Sequence, residues 1–314
     1  MQEAVPDILE GYGAESITLA PDRTGPLTAT LVSRAANEPT DKAVLYVHGY
    51  NDYFFCEEMG PRFNKAGFHF YSLDLRRYGR SWRSGQTLAF TTDLGEYFEE
   101  IDAAIQRIRQ RDGRRHILLH GHSTGGLICA LHASARGGVD ALLLNSPFFA
   151  FRATRQVKLM LRTITRVIGR IRPMHDLDVR PDPRYAWSMH ERYGKGGEWT
   201  YDEAWKLPGD LPLRAGWVRA VAKGHAEVRR GLGVAIPTLA MASAKRGGDA
   251  PGFSRGWMRA DTVLDPDHCL RGASFIGPNV HSCRIDKGMH DLLLSRAVVR
   301  DTVYEEIFAW HGRL

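Results

Sequence analysis

The sequence of 314 residues contains few cysteines, and they form no recognisable pattern. No C-x-x-C pair is present, and the four residues stand far apart, at Cys56, Cys129, Cys269 and Cys283. This spacing excludes a disulfide-rich scaffold and a paired-cysteine metal or redox motif. We therefore expect reduced thiols and a cytoplasmic protein.

Long apolar runs and a strong charge of either sign are also lacking. Met1 to Asp7 contain neither a basic segment nor an apolar core, so we expect no secretory signal. No run reaches the roughly 20 apolar residues that span a bilayer. The formal net charge of +6 is too small to indicate nucleic-acid binding, and no nucleic-acid motif is present.

Apolar runs typical of buried parallel strands alternate with segments that are compatible with helices. The sequence predicts an edge hairpin within 16–34 and buried strands at 43–47, 68–73, 117–119, 141–145, 236–242 and 282–285. Helices are expected near 60–66, 94–111, 126–131 and 298–310. Because parallel strands are joined by right-handed crossovers, we predict an α/β fold with a mostly parallel central sheet flanked by helices.

The pattern changes after Pro147. Residues 152–172 carry seven basic residues and no acidic one, and prolines, glycines and aromatics crowd the residues that follow. We interpret 147–234 as a helical lid (cap) insertion between two core parts, 1–146 and 235–314. The basic helix at 152–172 either packs its apolar side on the core, contacts a lipid surface or forms a dimer contact. The oligomeric state is left open.

A serine lies at the turn between the strand at 117–119 and the helix that follows. Gly121-His122-Ser123-Thr124-Gly125 matches G-x-S-x-G, a strained turn in which a side chain at either glycine would collide with the neighbouring strand or helix. Such a turn places the serine hydroxyl at the carboxyl end of the sheet. The pattern predicts Ser123 as a nucleophile, against the alternative of an incidental serine in a glycine-rich turn.

A serine nucleophile needs a base, and the base needs an acid that orients it. On an open α/β sheet these residues follow the chain order serine, acid, histidine. His290 comes directly after the last predicted strand and is therefore the expected base. His281 precedes that strand and should lie at its other end, and His122 should point away from the substrate.

The acid is expected in the polar loop that follows the strand at 236–242. Asp261 stands directly before a short apolar step and is the first candidate. The other candidates in this loop are Asp265, Asp249 and Asp267. Each of these residues has an ordinary alternative role as a solvated carboxylate or as a helix cap.

Attack by the serine creates an oxyanion, which requires backbone N–H donors. We expect one donor at Thr124, directly after the nucleophile, and the other at Tyr50, in the loop after the strand at 43–47. The chemistry requires no cofactor and no metal. A metal site is not expected at the histidines near this turn because no acidic or cysteine partner stands at ligand spacing to His48, His120 and His122.

Several short stretches match one family in the same chain order. They are His48-Gly49, Asp74 to Ser81, Gly121 to Gly126, Asn145-Ser146-Pro147, Asp261 to Leu264 and Met289-His290-Asp291. With them the chain resembles the α/β-hydrolase superfamily, and within it the monoacylglycerol lipase and lysophospholipase-like branch, also named the serine aminopeptidase-like hydrolases. The resemblance implies the α/β-hydrolase fold, a lid over an acyl pocket, and Asp261 as the acid.

Two features depart from the family pattern. Arg77 replaces the usual glycine of a D-x-R-G step, and the loop from Ala244 to Ala260 is unusually long, which keeps Asp249 as a rival acid. We predict a serine hydrolase that cleaves carboxylic esters with an apolar acyl group through an acyl-enzyme.

Three other functions stay open. The same triad serves thioesterases and acyltransferases, and a hydrolase fold without catalysis could act as a binding module. A peptidase of the aminopeptidase type would need acidic side chains under the lid to bind a substrate ammonium group. The candidates for that acidic cluster are Glu191, Glu198, Asp202 and Glu203.

Overall fold

The computed structural model describes residues 4–152, 167–209 and 211–314. Within these ranges nine strands form one sheet, in the order β1-β2-β3-β5-β4-β6-β7-β8-β9. The strands are β1 (Val5–Pro6), β2 (Gly13–Asp22), β3 (Gly25–Arg34), β4 (Lys42–Val47), β5 (His69–Asp74), β6 (His116–His122), β7 (Ala141–Asn145), β8 (Thr238–Ser243) and β9 (Val280–Ile285).

The sheet is parallel from β5 to β9, and its first edge is antiparallel. The strands β1, β2 and β3 form the antiparallel edge, and β3 pairs with β5 in the same sense. The remaining neighbours are parallel, with Val47 opposite Gly121 where β4 lies beside β6. The loops that follow β4, β6, β8 and β9 therefore meet at one edge of the sheet.

Helices cover both faces of the sheet. They are α1 (Met59–Lys65), α2 (Phe98–Gln106), α3 (Thr124–Ala135), α4 (Pro183–Met189), α5 (Ala215–Arg230), α6 (Pro266–Ala273) and α7 (Ala297–His311). Alternate strand residues face opposite sides. Leu45 and Val47 belong to one buried apolar cluster, together with residues of α2, α3 and α5. Val44 and Tyr46 belong to the other, with residues of α1 and α7.

The predicted strands are confirmed, with small changes at their ends. The segment at 94–111, predicted as one helix, is a 3₁₀ turn, the helix α2 and a final π turn, and its residues Leu94, Ile101, Ile105 and Ile108 are buried. The strand β9 begins earlier than predicted, so that His281 lies within it.

The polar loop after β8 is shorter than expected because it contains a helix. Asp265 is the N-cap of α6, where its side chain accepts a hydrogen bond of 3.0 Å from the backbone N–H of Asp267, and Pro266 occupies the first turn. Aspartate followed by proline is a helix-start signal, so the expectation of a loop through Asp267 was wrong.

Arg77, where the family pattern has glycine, adopts a backbone φ of 64°. This left-handed region favours glycine, and a long side chain there is strained. The guanidinium forms an ion pair with Asp22 of β2 and donates a hydrogen bond of 3.0 Å to the carbonyl oxygen of Phe90. Glycine could form neither the ion pair with the edge hairpin nor the hydrogen bond to Phe90.

The predicted insertion includes α4 and α5 and begins with the basic helix expected at 152–172. Residues 153–166 lie outside the described residues, and residues 167–171 are helical. None of the helices that the structure describes combines the length and apolar character needed to cross a bilayer. All four cysteines are free, and three of them are buried.

Candidate active site

Ser123 occupies the turn between β6 and α3, with a φ of 52° and a ψ of −116°. The turn is crowded on both sides. A Cβ on Gly121 would lie 2.6 Å from the carbonyl oxygen of Gly125, and a Cβ on Gly125 would lie 2.4 Å from the carbonyl oxygens of Val47 and His48. Only glycine fits at these two positions, and the strained serine is fixed between a strand and a helix.

The structure brings Ser123, His290 and Asp261 into one hydrogen-bonded chain. His290 Nε2 lies 2.9 Å from Ser123 Oγ, and His290 Nδ1 lies 2.9 Å from Asp261 Oδ2. A carboxylate only accepts, so Nδ1 carries the proton and Nε2 is free to accept the serine proton. All three side chains are buried.

Asp261 is itself fixed by its own loop. Its Oδ1 accepts hydrogen bonds from the backbone N–H groups of Val263, at 2.8 Å, and Leu264, at 2.7 Å. Its backbone N–H donates to the carbonyl oxygen of Lys245 at 2.9 Å. The carboxylate therefore has one oxygen bound by the backbone and the other directed at His290.

The rival acids do not bond to His290. Asp249 lines the same cavity, but its side chain is exposed and forms ion pairs with Arg152 and Arg246. Asp265 caps α6, as described above, and the exposed Asp267 pairs with Arg284 at 2.5 Å. Of the four candidates, the structure places only Asp261 against His290.

The two expected oxyanion donors border the serine. Thr124 is the first residue of α3, and the first amides of a helix have no partner within it. The loop that contains Tyr50 passes close to the serine, because a Cβ on Gly49 would lie 3.1 Å from Ser123 Cβ. Tyr50 and Thr124 both line the cavity that contains Ser123 and His290.

This cavity has a volume of about 880 Å³. Much of its apolar lining belongs to the cluster that includes residues of α3 and α5, namely Phe148, Phe151, Leu177, Leu213, Trp217, Val218 and Leu264. Tyr185 and Met189 also line the cavity and belong to the opposite cluster. Its polar lining includes Asp52, His122 and Lys206. The Lys206 ammonium lies 5.2 Å from the centre of the Phe55 ring, which belongs to the opposite apolar cluster. The lining is mainly apolar, and Asp52, His122 and Lys206 are named here its polar wall.

Two residues of the polar wall, Asp52 and His122, belong to a cluster that the sequence did not predict. One ligand atom each from Asp52, His122 and Asp291 lies within 4.8 Å of the others, and all three residues are buried. His122, expected to point away from the substrate, lines the cavity. The sequence offered no acidic partner at ligand spacing to it, and the fold brings two aspartates from distant loops beside it. The two aspartates follow β4 and β9, whose carboxyl ends meet beside the turn that carries His122.

Charge within this cluster is balanced by a lysine. Lys206 Nζ lies 2.5 Å from Asp52 Oδ1, and its ammonium supplies a positive charge beside the carboxylate without a metal. Burial lowers the pKa of His122 to about 3, so that its imidazole is neutral. Burial also raises the pKa of Asp291, against the opposing hydrogen bond of 2.7 Å from the Asn145 amide.

The acidic residues considered for a peptidase do not gather at the cavity. Glu198 pairs with Arg300 at 2.7 Å, and Glu203 forms an ion pair with Arg192. Glu191 accepts a hydrogen bond from Thr200, and the Asp202 side chain accepts one from a backbone N–H. Within the described part of the chain, none of the four residues lines the cavity.

A mostly parallel sheet, a serine at a strand-to-helix turn, and a histidine after the last strand together define the α/β-hydrolase class. A family model described as serine aminopeptidase, S33, matches residues 38–242. This match covers well over half of the chain, and the protein belongs to that family. A search of curated protein sequences found no match.

Solved structures agree with the fold. The chain is similar to a soluble variant of the monoglyceride lipase from Saccharomyces cerevisiae, with a TM-score of 0.68, 15% identity, and coverage of 98% of this chain and 99% of that chain. It is also similar to the Paleococcus ferrophilus monoacylglycerol lipase, with a TM-score of 0.65, 16% identity, and coverage of 89% and 96%. A Bacillus coagulans carboxyl esterase gives a TM-score of 0.62, 14% identity, and coverage of 95% and 98%. The predicted fold class is confirmed.

Proposed function

We propose that the protein is a serine hydrolase that cleaves carboxylic esters with an apolar acyl group. The observation that carries this proposal is the chain from Ser123 through His290 to Asp261, with its two distances of 2.9 Å, at the wall of a largely apolar cavity. The solved monoglyceride lipases and carboxyl esterase of the same fold support an ester as the substrate class.

In the first half of the reaction, Ser123 Oγ attacks the ester carbonyl carbon while His290 Nε2 takes the hydroxyl proton. Asp261 stabilises the imidazolium that results. The amides of Tyr50 and Thr124 donate to the oxyanion of the tetrahedral intermediate. The bond to the alcohol oxygen then breaks, His290 returns the proton to that oxygen, and the acyl group remains on the serine.

In the second half, His290 takes a proton from water, which attacks the acyl-enzyme carbonyl. The bond to Ser123 Oγ breaks, the serine regains its proton from the imidazolium, and the carboxylic acid leaves. The apolar wall of the cavity would bind the acyl chain, and the polar wall would face the alcohol. We retain 147–234 as a lid over this cavity and a cytoplasmic location as parts of the proposal. For the basic helix at 152–172, packing on the core, contact with a lipid surface and a dimer contact remain the three alternatives.

A fluorophosphonate probe tests the nucleophile. Wild-type protein and the control Ser134→Ala, which alters an exposed helical serine, should be labelled, and Ser123→Ala should not. A folded wild-type protein that resists labelling would contradict the proposal.

A substrate panel tests the ester assignment. We expect p-nitrophenyl esters to be hydrolysed faster as the acyl chain lengthens to fill the apolar wall, and amino-acid anilides to react slowly. Acyl thioesters and an acceptor alcohol, added in parallel, measure thioesterase and acyltransferase activity. Faster cleavage of the anilides would assign the protein to the peptidases instead.

A further inference from the structure

The loop with the proposed oxyanion donor is bonded, residue by residue, to one segment of the insertion. Each of the four consecutive residues 50–53 forms a hydrogen bond with the segment 202–212, of which the structure describes 202–209 and 211–212. Tyr50 Oη donates to Pro212 O at 3.3 Å, and the Asp202 N–H donates to Tyr53 Oη at 2.7 Å. Asn51 Nδ2 donates to Leu207 O at 2.7 Å, and the Leu207 N–H donates to Asn51 Oδ1 at 3.0 Å. Lys206 Nζ donates to Asp52 Oδ1 at 2.5 Å.

Asn51 is the one residue of this loop with a positive φ, 54°. Asparagine tolerates the left-handed region better than most residues, but the conformation still requires support from its surroundings. Leu207 provides that support, because its N–H and C=O groups bind the oxygen and the nitrogen of the Asn51 side-chain amide. Such a two-point contact fixes both the position and the orientation of the side chain.

The loop has little freedom to shift without altering the site. A Cβ on Gly49 would lie 3.1 Å from Ser123 Cβ and 3.2 Å from His122 Cδ2, so the backbone is packed against the nucleophile turn. On the other side of Asn51, the buried ion pair of Asp52 and Lys206 forms a second anchor. Breaking a buried ion pair leaves an uncompensated charge, which resists displacement of the loop.

We propose that Asn51 is a positioning residue for the oxyanion site, and that the insertion segment 202–212 determines where the Tyr50 amide lies. This inference rests on the proposed function. The reciprocal contact with Leu207 keeps the turn at Asn51 in its left-handed conformation. The Tyr50 N–H, one residue earlier, is thereby placed to donate to the oxyanion. The insertion thus contributes to stabilisation of the transition state in addition to covering the cavity.

The test compares Asn51→Gly and Asn51→Ala with the wild-type protein. The glycine variant can still adopt the positive φ but loses the two side-chain hydrogen bonds. The alanine variant loses these hydrogen bonds and also disfavours the positive φ. Asn64→Ala is the matched control, since the Asn64 amide donates 2.9 Å and 3.4 Å hydrogen bonds to the backbone carbonyls of Phe68 and Arg34, and Asn64 does not line the cavity.

We expect both Asn51 variants to lower kcat for a p-nitrophenyl ester by about 10- to 100-fold, because a displaced oxyanion donor loses most of its effect. KM should stay within about threefold of the wild-type value, as ground-state binding is unchanged. Affinity for a trifluoromethyl ketone, whose hemiketal oxyanion occupies the same site, should fall in parallel with kcat/KM. Asn64→Ala should lower the melting temperature and leave kcat and ketone affinity unchanged.

Wild-type kcat and ketone affinity in a folded Asn51→Gly variant would overturn the inference. If Asn51→Ala does not fold, Asn51→Gly and Asn51→Asp decide, since aspartate keeps an acceptor for the Leu207 N–H. We expect aspartate to retain more activity than glycine, and equal losses in the two would count against the contact with Leu207. A wild-type protein that neither reacts with the fluorophosphonate nor hydrolyses esters would overturn the proposed function and this inference together. If the wild-type protein is labelled and hydrolyses esters, but the Asn51 variants keep wild-type kcat and ketone affinity, this inference alone would be overturned.

Discussion

The hydroxyl of Tyr185 accepts a hydrogen bond of 3.0 Å from the backbone N–H of Asp291, the residue directly after His290. Tyr185 belongs to helix α4, within the proposed insertion, and its ring meets the His290 imidazole edge-on with centroids 5.8 Å apart. Residues of the proposed insertion therefore contact the loop of His290 as well as the loop of Tyr50.

Tyr185→Phe should retain the ring contact and remove the acceptor for the Asp291 N–H. We expect kcat to fall about 3- to 10-fold, because His290 is less well oriented, and the free energy of unfolding to fall by about 1 kcal/mol. Steady-state kinetics and urea unfolding measure the two effects. The control is Tyr71→Phe, which loses a hydroxyl hydrogen bond of 2.8 Å to Asp112 away from the cavity and should alter stability only. An equal loss of kcat in both variants would contradict a role at His290.

Asp261→Asn should lower kcat by about 10³- to 10⁴-fold at neutral pH. An amide can donate to Nδ1 and thereby favour the wrong histidine tautomer, with the proton on Nε2. Asp249→Asn and Asp265→Asn are matched controls, because each changes one carboxylate of the same loop. Both should retain more than about half of the wild-type kcat. Asp265→Asn should also keep helix α6 capped, because asparagine is a good N-cap residue. A larger loss of kcat in either control than in Asp261→Asn would move the acid to that residue.

Gly125→Ala should prevent correct folding of the nucleophile turn. Its Cβ would lie 2.4 Å from two backbone oxygens at the end of β4, and neither the strand nor the helix can move without loss of hydrogen bonds. We expect the free energy of unfolding to fall by about 3 kcal/mol or more and fluorophosphonate labelling to disappear. Gly13→Ala is the control, since the nearest atom to its Cβ would be at an ordinary 3.4 Å. Normal labelling of Gly125→Ala would contradict the crowding that the structure shows.

Stability should decrease between pH 7 and pH 5 because of buried histidines. Burial lowers the pKa of His120 to about 3, and neither of its ring nitrogens has a hydrogen-bond partner in the described part of the chain. Between this value and the ordinary pKa near 6.5, the unfolded chain binds a proton that the folded chain does not bind. The free energy of unfolding therefore decreases as the pH falls, by about 2 kcal/mol for one histidine at pH 5.

The non-titrating variant His120→Leu tests this assignment. Urea unfolding at pH 7 and pH 5 should show that the variant loses about 2 kcal/mol less stability than the wild-type protein over this interval. His122, whose pKa burial also lowers to about 3, remains in both proteins and contributes the same decrease to each. If the variant and the wild-type protein lose the same free energy of unfolding between pH 7 and pH 5, His120 is not responsible for the decrease.

The elements that could be predicted from the sequence have a local physical cause. The buried strands β4 and β7 are continuous apolar runs because both faces of a parallel sheet are covered. The turn at Ser123 was predictable because its backbone geometry requires glycine on both sides. The placement of His290 followed from chain order, since the carboxyl ends of parallel strands meet at one edge.

The contacts that could not be predicted join distant segments. Lys206 and Asp52 are 154 residues apart, and nothing local distinguishes this lysine from the others in the insertion. Its position depends on how the insertion folds over the sheet. Two local signals were present and could have been used. Asparagine is enriched at positive φ, and Asn51 adopts such a φ. An aspartate followed by a proline, as at Asp265-Pro266, is a signal for the start of a helix.

The five hydrogen bonds between residues 50–53 and 202–212 limit which caps can be exchanged, by engineering or in evolution, without loss of turnover. An insertion that only covered a pocket would be an exchangeable module, and another family member's cap could replace it at the junctions near 147 and 234. Here four backbone groups and an ammonium of the proposed insertion are partners of the loop beside Ser123. A chimaera that transfers a foreign cap should therefore fold its core and bind ligands, yet turn over slowly until Leu207 and Lys206 are restored in their native register.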